Sequence, residues 1–300
     1  MLLKNIQASD NFSQNCSSEV AGNVTIIGTG LIGGSLALIL KDKALVKRVI
    51  GVDANKENEQ KALQLGIADE VLPMEEAIAK SDLVVLAVPV DVLHNLLPAI
   101  MDLVVNQVVM DMGSTKQNVI ETIRDHPNRK RFVATHPMWG TEFSGPEAAV
   151  KTAFANKAAV ICDAENSDPD ALKTVERIYK EIGMHLVYMN APAHDVHTAY
   201  VSHISHITSF ALANTVLEKE KEEDAIFELA SGGFESTVRL AKSAPSTWVP
   251  IFKQNRENVL DVLNEHISQL RKFKSCLEKE NYEYLQELIE QANGIRRILK

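Results

Sequence analysis

The stretch Val24 to Ala37, VTIIGTGLIGGSLA, decides how this chain is read. A β-branched apolar run, Val24 to Ile27, ends in Gly28, and the apolar stretch Leu31 to Lys41 has the length and composition of a buried helix. The segment therefore reads as strand, tight turn, helix. Gly28, Gly30 and Gly33 fall at the spacing G-x-G-x-x-G. Alone that pattern is weak; between a strand and a helix it has a physical meaning. The first glycine allows the turn, the second lets backbone approach a pyrophosphate, and the third lets the helix pack on the strand, with phosphate held at the helix N-terminus. Asp53 ends a second strand 20 residues beyond Gly33, where a carboxylate accepts hydrogen bonds from an adenosine ribose. It would repel a 2′-phosphate, so NAD is expected over NADP, a preference that the nearby Lys56 tempers. Cofactor contacts are expected at Gly28, Gly30, Leu31, Ile32, Gly33 and Asp53, and at Val88 and Pro89, where the strand from Leu83 ends.

Working outward, the alternation continues with strand Val49 to Asp53, helix near Lys56 to Leu65, strand Leu83 to Val88, helix Asp91 to Leu103, strand Val108 to Asp111 and a helix from Thr115. Short apolar strands alternating with helices imply a doubly wound α/β domain of Rossmann type, with a parallel sheet covered on both faces. Further strands are expected at Phe132 to Thr135, Ala158 to Cys162 and His185 to Met189, with a helix from Asp170 to Ile182 before the last. From Ala191 onward the pattern is helical almost throughout, interrupted by the charged patch Glu218 to Asp224, read as a solvated helix end or loop. Three units follow: a polar leader 1–22, a dinucleotide domain 23–189 and an all-α domain 190–300.

Composition excludes several classes. The 31 basic and 40 acidic residues leave a net charge of -9, which argues against a sequence-independent hold on nucleic acid or anionic membrane. The longest apolar run, Leu83 to Val90, has eight residues against the roughly 20 that a membrane span needs, and the leader lacks the apolar stretch of a secretory signal. Cys16, Cys162 and Cys276 are odd in number and widely spaced, so neither a disulfide framework nor a zinc site is signalled. The expected home is the cytoplasm and the expected partner a small molecule.

Three segments are candidates for chemistry. Asp111-Met112-Gly113-Ser114-Thr115-Lys116 lies at a strand end opening a helix, where Ser114 or Thr115 equally serves as a plain N-cap. His136-Pro137-Met138-Trp139-Gly140-Thr141-Glu142 follows a strand whose carboxyl end faces the ligand crevice of a doubly wound sheet, and a histidine there serves as a neutral base near pH 7. Activity would then fall with acid between pH 8 and 5. His194, His197, His203 and His206 fall within thirteen residues. At about 100° per residue on one straight helix they lie near 0°, 300°, 180° and 120°, so the two pairs face opposite sides and do not converge on a metal ion. That leaves a core role or, for His203 and His206, substrate contact. No G-x-S-x-G elbow is present, Cys162 sits mid-strand, and the lysine loop of phosphoryl transfer is missing.

Taken together, VTIIGTGLIGGSLA, DMGSTK, HPMWGTEFSGP, VSHISH and GGFESTVRLAKSAPSTW, in this order from Val24 to beyond Asn258, resemble the prephenate and arogenate dehydrogenases of tyrosine biosynthesis. The resemblance implies a helical dimerisation domain and NAD-dependent oxidative decarboxylation of prephenate to 4-hydroxyphenylpyruvate, or of arogenate to tyrosine. It implies that His136 takes the proton of the substrate ring hydroxyl as hydride leaves, with Ser114 on the same hydroxyl and Lys116 a further candidate from that turn. Arg239 would bind a substrate carboxylate, with His203 and His206 nearby and Glu142 helping to close the site; no metal is implied. Two positions depart from the family pattern. Trp139 stands where alanine is usual, beside His136, and Ser236 stands where many relatives have an acid three residues before the arginine, which puts an ionic gate between Glu142 and Arg239 in question. The chain ends too soon after the helical domain for an appended regulatory domain, so feedback by tyrosine would act at the active site. A non-catalytic NAD-binding sensor on the same scaffold is the competing expectation. A hydroxy-acid or imine reductase would place a lysine or other donor on the long helix near His203, and none is there.

Overall fold

The computed structural model describes residues 19–221 and 227–298. Most of the expected leader, including Cys16, and residues 222–224 of the charged patch lie outside the described residues. Eight strands form one sheet: β1 (Ala21–Ile27), β2 (Val46–Val52), β3 (Glu70–Val71), β4 (Leu83–Leu86), β5 (Val108–Asp111), β6 (Phe132–Pro137), β7 (Ala158–Cys162) and β8 (His185–Met189), in the order β3-β2-β1-β4-β5-β6-β7-β8. Because β1 begins at Ala21, Ala21 and Gly22 belong to the sheet and not to a leader. The helices among them are α1 (Leu31–Asp42), α2 (Lys56–Gln64), α3 (Met74–Ala79), α4 (Val90–Leu103), α5 (Gln117–Glu121) and α6 (Pro169–Glu181).

The expectation of a wholly parallel sheet is corrected at one seam. Strands β3 to β6 pair in parallel, but β7 runs antiparallel to β6, and β8 is parallel to β7. A parallel return needs a crossover, usually a helix, whereas the chain between β6 and β7 has only a short 3-10 turn, Pro146–Ala148. Two apolar layers cover the sheet. Ile26, Leu36, Leu40, Phe154 and Tyr179 pack on one face; Leu86, Leu93, Leu97, Val109 and Phe132 pack on the other. Side chains of β6 alternate between them, as strand geometry requires.

The remainder is helical: α7 (Ala191–Thr198), one π-helical turn (Ala199–His203), α8 (Ile204–Glu220), α9 (Gly232–Val238), α10 (Pro245–Gln254), α11 (Arg256–Glu278) and α12 (Tyr282–Asn293). Its helices bury little within one chain: α8 buries His206 and Ser209, α11 buries Val259, Val262 and Cys276. The π turn corrects the straight-helix projection of the histidines. It spends about one extra residue and so takes back about 100°, which brings His203 and His206 onto the side that carries His194. All three are buried, while His197 is exposed. No described helix is long and apolar enough to cross a membrane.

Candidate active site

The glycine turn lies at the carboxyl edge of the sheet. Gly28 has φ +95°, and a Cβ there would lie 2.5 Å from the Ala87 carbonyl oxygen; one at Gly33 would lie 2.1 Å from the Gly28 carbonyl oxygen. These two positions are glycine because the fold demands it. Gly30 is different: a Cβ there meets nothing within 4 Å. Its bareness leaves an open cradle at the N-terminus of α1, whose cap position carries no side-chain bond. Leu31 and Ile32 form the first turn of that helix, and Val88 and Pro89 follow β4 beside Gly28. Asp53 is held at the same edge, its Oδ2 accepting from the Thr29 backbone N–H at 2.9 Å and hydroxyl at 3.0 Å. Lys56 is turned to Glu59, 2.7 Å away. An open cradle of N–H groups with a fixed carboxylate beside it fits the pyrophosphate and ribose of a dinucleotide.

Three strands from β1 along the same edge, His136 is the penultimate residue of β6. Its Nδ1 lies 2.8 Å from His194 Nε2, and His194 Nδ1 lies 2.7 Å from Asp195 Oδ1. Asp195 also accepts the backbone N–H groups of Lys116 at 2.8 Å and Gln117 at 2.9 Å. The start of α5 is thus capped from α7, and the expected cap by Ser114 or Thr115 does not form; Thr115 instead donates its hydroxyl to Gln254 at 2.6 Å. Ser114 is half-buried in this turn.

Lys116 departs from its expected role. It is fully buried and paired with Asp111, also fully buried, whose carboxylate further accepts the N–H groups of Gly113 and Thr135, each at 2.9 Å. With no exposed surface, its ammonium is not presented to a substrate. It acts instead on His136, whose pKa is held well below the ordinary 6.5 by burial first, then by His194, Lys116 and His203. His194 is lowered chiefly by burial. His203, its Nδ1 3.2 Å from Asn255 Nδ2, is pushed down to about 4, again chiefly by burial.

A second group stands beside the first. His206 stacks on Trp248 with ring centroids 3.4 Å apart and donates Nδ1–H to the Ser202 carbonyl at 3.1 Å, while His203 meets the same Trp248 edge-on. Arg239 and Glu142 pair at 2.9 Å although Ser236 is no acid, so the ionic contact that the sequence put in question does form. Ser236 turns into its own helix, donating to Gly233. Trp139 does not enter the His136 side of β6: its ring packs edge-on to Phe154, 5.5 Å between centroids, in the opposite apolar layer.

Residues 36–188 match the family model described as prephenate dehydrogenase, nucleotide-binding domain, and residues 190–291 match that described as prephenate dehydrogenase, dimerization domain. The chain belongs to the prephenate dehydrogenase family. It is similar to the prephenate dehydrogenase of Bacillus subtilis, 30% identical over 93% of this chain and 76% of that protein. It is also similar to the cyclohexadienyl dehydrogenase of Zymomonas mobilis, 29% identical over 93% and 96%. A crystal structure of Aquifex aeolicus prephenate dehydrogenase in complex with hydroxyphenyl propionate and NAD+ superposes with a TM-score of 0.85 at 30% identity, covering 93% of this chain and 98% of that one.

The sequence suggests no more than a core role for His194 and none for Asp195, Asn255 or Trp248. The signal for His194 was its place among the clustered histidines, but a straight helix turned it away from His203. For this family member, Gly30→Val should fold like the parent and weaken NAD binding at least about tenfold, since a branched side chain fills the cradle the phosphate needs. Fluorescence titration with NADH checks this; unchanged affinity contradicts the assignment of the cradle.

Proposed function

We propose that this chain catalyses the NAD-dependent oxidative decarboxylation of prephenate to 4-hydroxyphenylpyruvate. The observation that carries the reading is His136: neutral at pH 7 because its pKa is depressed, its Nδ1 engaged by His194, and its Nε2 without a described partner, at the same carboxyl edge of the sheet as the dinucleotide cradle. Bound NAD supplies the hydride acceptor. His136 Nε2 takes the hydroxyl proton as the ring carbon gives up hydride, and Ser114 bonds the same oxygen. Loss of carbon dioxide then makes the ring aromatic, and the oxygen takes the proton back, so the base holds it only in passing. Arg239, half-exposed and steadied by Glu142, binds a substrate carboxylate. His203 and His206 line the substrate side. Gly28, Gly30, Leu31, Ile32, Gly33, Val88 and Pro89 hold the cofactor, and Asp53 selects NAD through the ribose.

The nucleotide unit is taken to run to Met189 and the helical unit from 190. The match of residues 190–291 to the model described as a dimerization domain, together with the exposure of Val201, Val249, Leu270 and Leu277, each more than half exposed, supports a homodimer formed through the helices. The acidic, reducing-compatible composition supports the cytoplasm. Arg239→Ala is expected to raise the KM for prephenate by about 10- to 100-fold, the worth of a charged hydrogen bond, with a smaller effect on kcat. Steady-state kinetics decide it, with arogenate assayed alongside; an unchanged KM for prephenate places the carboxylate elsewhere.

A further inference from the structure

Resting on the reading of His136 as the base, we infer that His194 and Asp195 are positioning residues that set the tautomer of His136 and draw off part of its charge while it holds the substrate proton. The hydrogen bonds fix the order of protons. An ionised Asp195 only accepts, so the contact from its Oδ1 to His194 Nδ1, 2.7 Å, requires the proton on His194 Nδ1. His194 Nε2 is then an acceptor. The 2.8 Å contact to His136 Nδ1 requires the proton on that Nδ1, which leaves His136 Nε2 bare and basic. Reversing either ring breaks one bond of the chain and puts a proton where the substrate hydroxyl must donate.

The carboxylate at the end of this chain is itself immobilised. Asp195 accepts the N–H groups of Lys116 and Gln117 at the start of α5, which hold its carboxylate in place. Asn255 Nδ2 donates to the Asp195 carbonyl at 2.6 Å and fixes the backbone of α7 from the far side. The titratable and charged groups acting on His136 are His194 of α7, Lys116 and His203 of the π turn; behind them, Asp195 contacts His194 and Asp111 contacts Lys116. Lys116 raises the cost of a proton on His136; Asp195 offsets it through His194. When the hydroxyl proton arrives on His136 Nε2, the Nδ1 proton shifts toward His194 Nε2, and the positive charge moves one ring closer to Asp195. No proton leaves the pair, and the shift reverses when the product oxygen takes its proton back.

The test starts without turnover. In the full-length protein with NAD bound, selective 15N-histidine NMR, with His136→Asn used for assignment, should show His136 protonated at Nδ1 and bare at Nε2. The opposite tautomer overturns the inference, even if the protein proves inactive on prephenate, in which case the proposed function fails separately. Kinetics supply the second arm. His194→Phe, which removes the acceptor, should lower kcat about 10- to 100-fold with KM for prephenate within about threefold, and should abolish the single tautomer in the NMR spectrum. His194→Gln, whose amide oxygen accepts and whose amide nitrogen donates, should recover part of that loss. Turnover by His194→Phe within threefold of the parent overturns the inference. If that variant does not fold, the wild-type tautomer decides alone. Fixing a base's tautomer is worth up to about 10⁴ in the serine-protease triad, whose carboxylate also acts through a histidine.

Discussion

His136→Asn should bind NAD like the parent and lose about 10²- to 10⁴-fold in kcat, the usual worth of a positioned base. Asparagine retains a polar group at the end of β6, but its amide cannot take a proton near pH 7, and it loses the bond to His194. The proposed dinucleotide contacts, Gly30 and Asp53, make no described contact with His136. The pH profile adds a second readout. A base works in its neutral form, so kcat/KM falls as pH drops through the pKa of His136. Burial, then His194, Lys116 and His203, hold that pKa well below 6.5. The profile should therefore stay flat from pH 8 down to 6.5 and fall only well below. The expectation of a fall between pH 8 and 5, drawn from a histidine at a strand end, is thus displaced toward acid, because the sequence does not reveal that the ring is half-buried near a buried lysine.

Acid also acts on the fold, and the sign is the same. The folded-state pKa values of His136, His194, His203 and His206 are all depressed. Below pH 6.5 the unfolded chain takes up protons first, so stability is present above 6.5 and is lost as pH falls toward about 4, the value for His203. The acid limb must therefore be measured on enzyme shown to recover full activity when returned to pH 7. An acid midpoint at or above 6.5, or turnover by His136→Asn within about threefold of the parent, contradicts the role of this residue.

Lys116→Met is the second large effect, and it falls on stability. Lys116 and Asp111 are both fully buried. Removing one partner of such a pair leaves an uncompensated charge and typically costs about 3 to 5 kcal/mol. The N–H groups of Gly113 and Thr135 stay on the Asp111 carboxylate and keep the cost from rising further. At roughly 2 to 4 °C per kcal/mol for a protein of this size, the melting temperature should fall by about 10 °C. Adding Asp111→Asn, which removes the unpaired charge and keeps an amide oxygen for one of those N–H groups, should recover part of the loss. Thermal unfolding measures both. A single variant that melts within about 2 °C of the parent would show that the pair carries no such weight.

The Rossmann half was legible because its signals are local. A β-branched run, three glycines at fixed spacing and an acid at the next strand end all lie within Val24 to Asp53, and the structure places them at one sheet edge. The antiparallel β7 was not legible, because nothing in Ala158 to Cys162 records the direction of a strand; the direction follows from the missing crossover before it. The His136 end of the site was named from its strand, but its partners were not. His194 joins it only because the π turn at Ala199–His203 rephases the helix, and that turn has no periodic signature. Lys116 looked available as a polar residue in a loop. Its pairing with Asp111, five positions earlier, is a matter of burial, which a motif does not show. Arg239 and Glu142 lie 97 residues apart, and their contact depends on how the helices sit over the sheet.

The central claim, that His136 and the glycine cradle together serve one oxidation, is tested most directly by incubating the full-length protein with prephenate and NAD and following both products. NADH at 340 nm and carbon dioxide should appear in equal amounts, one of each per prephenate consumed. Binding of NAD with no NADH formed from prephenate or arogenate would contradict the account and leave a dinucleotide-binding protein without this chemistry.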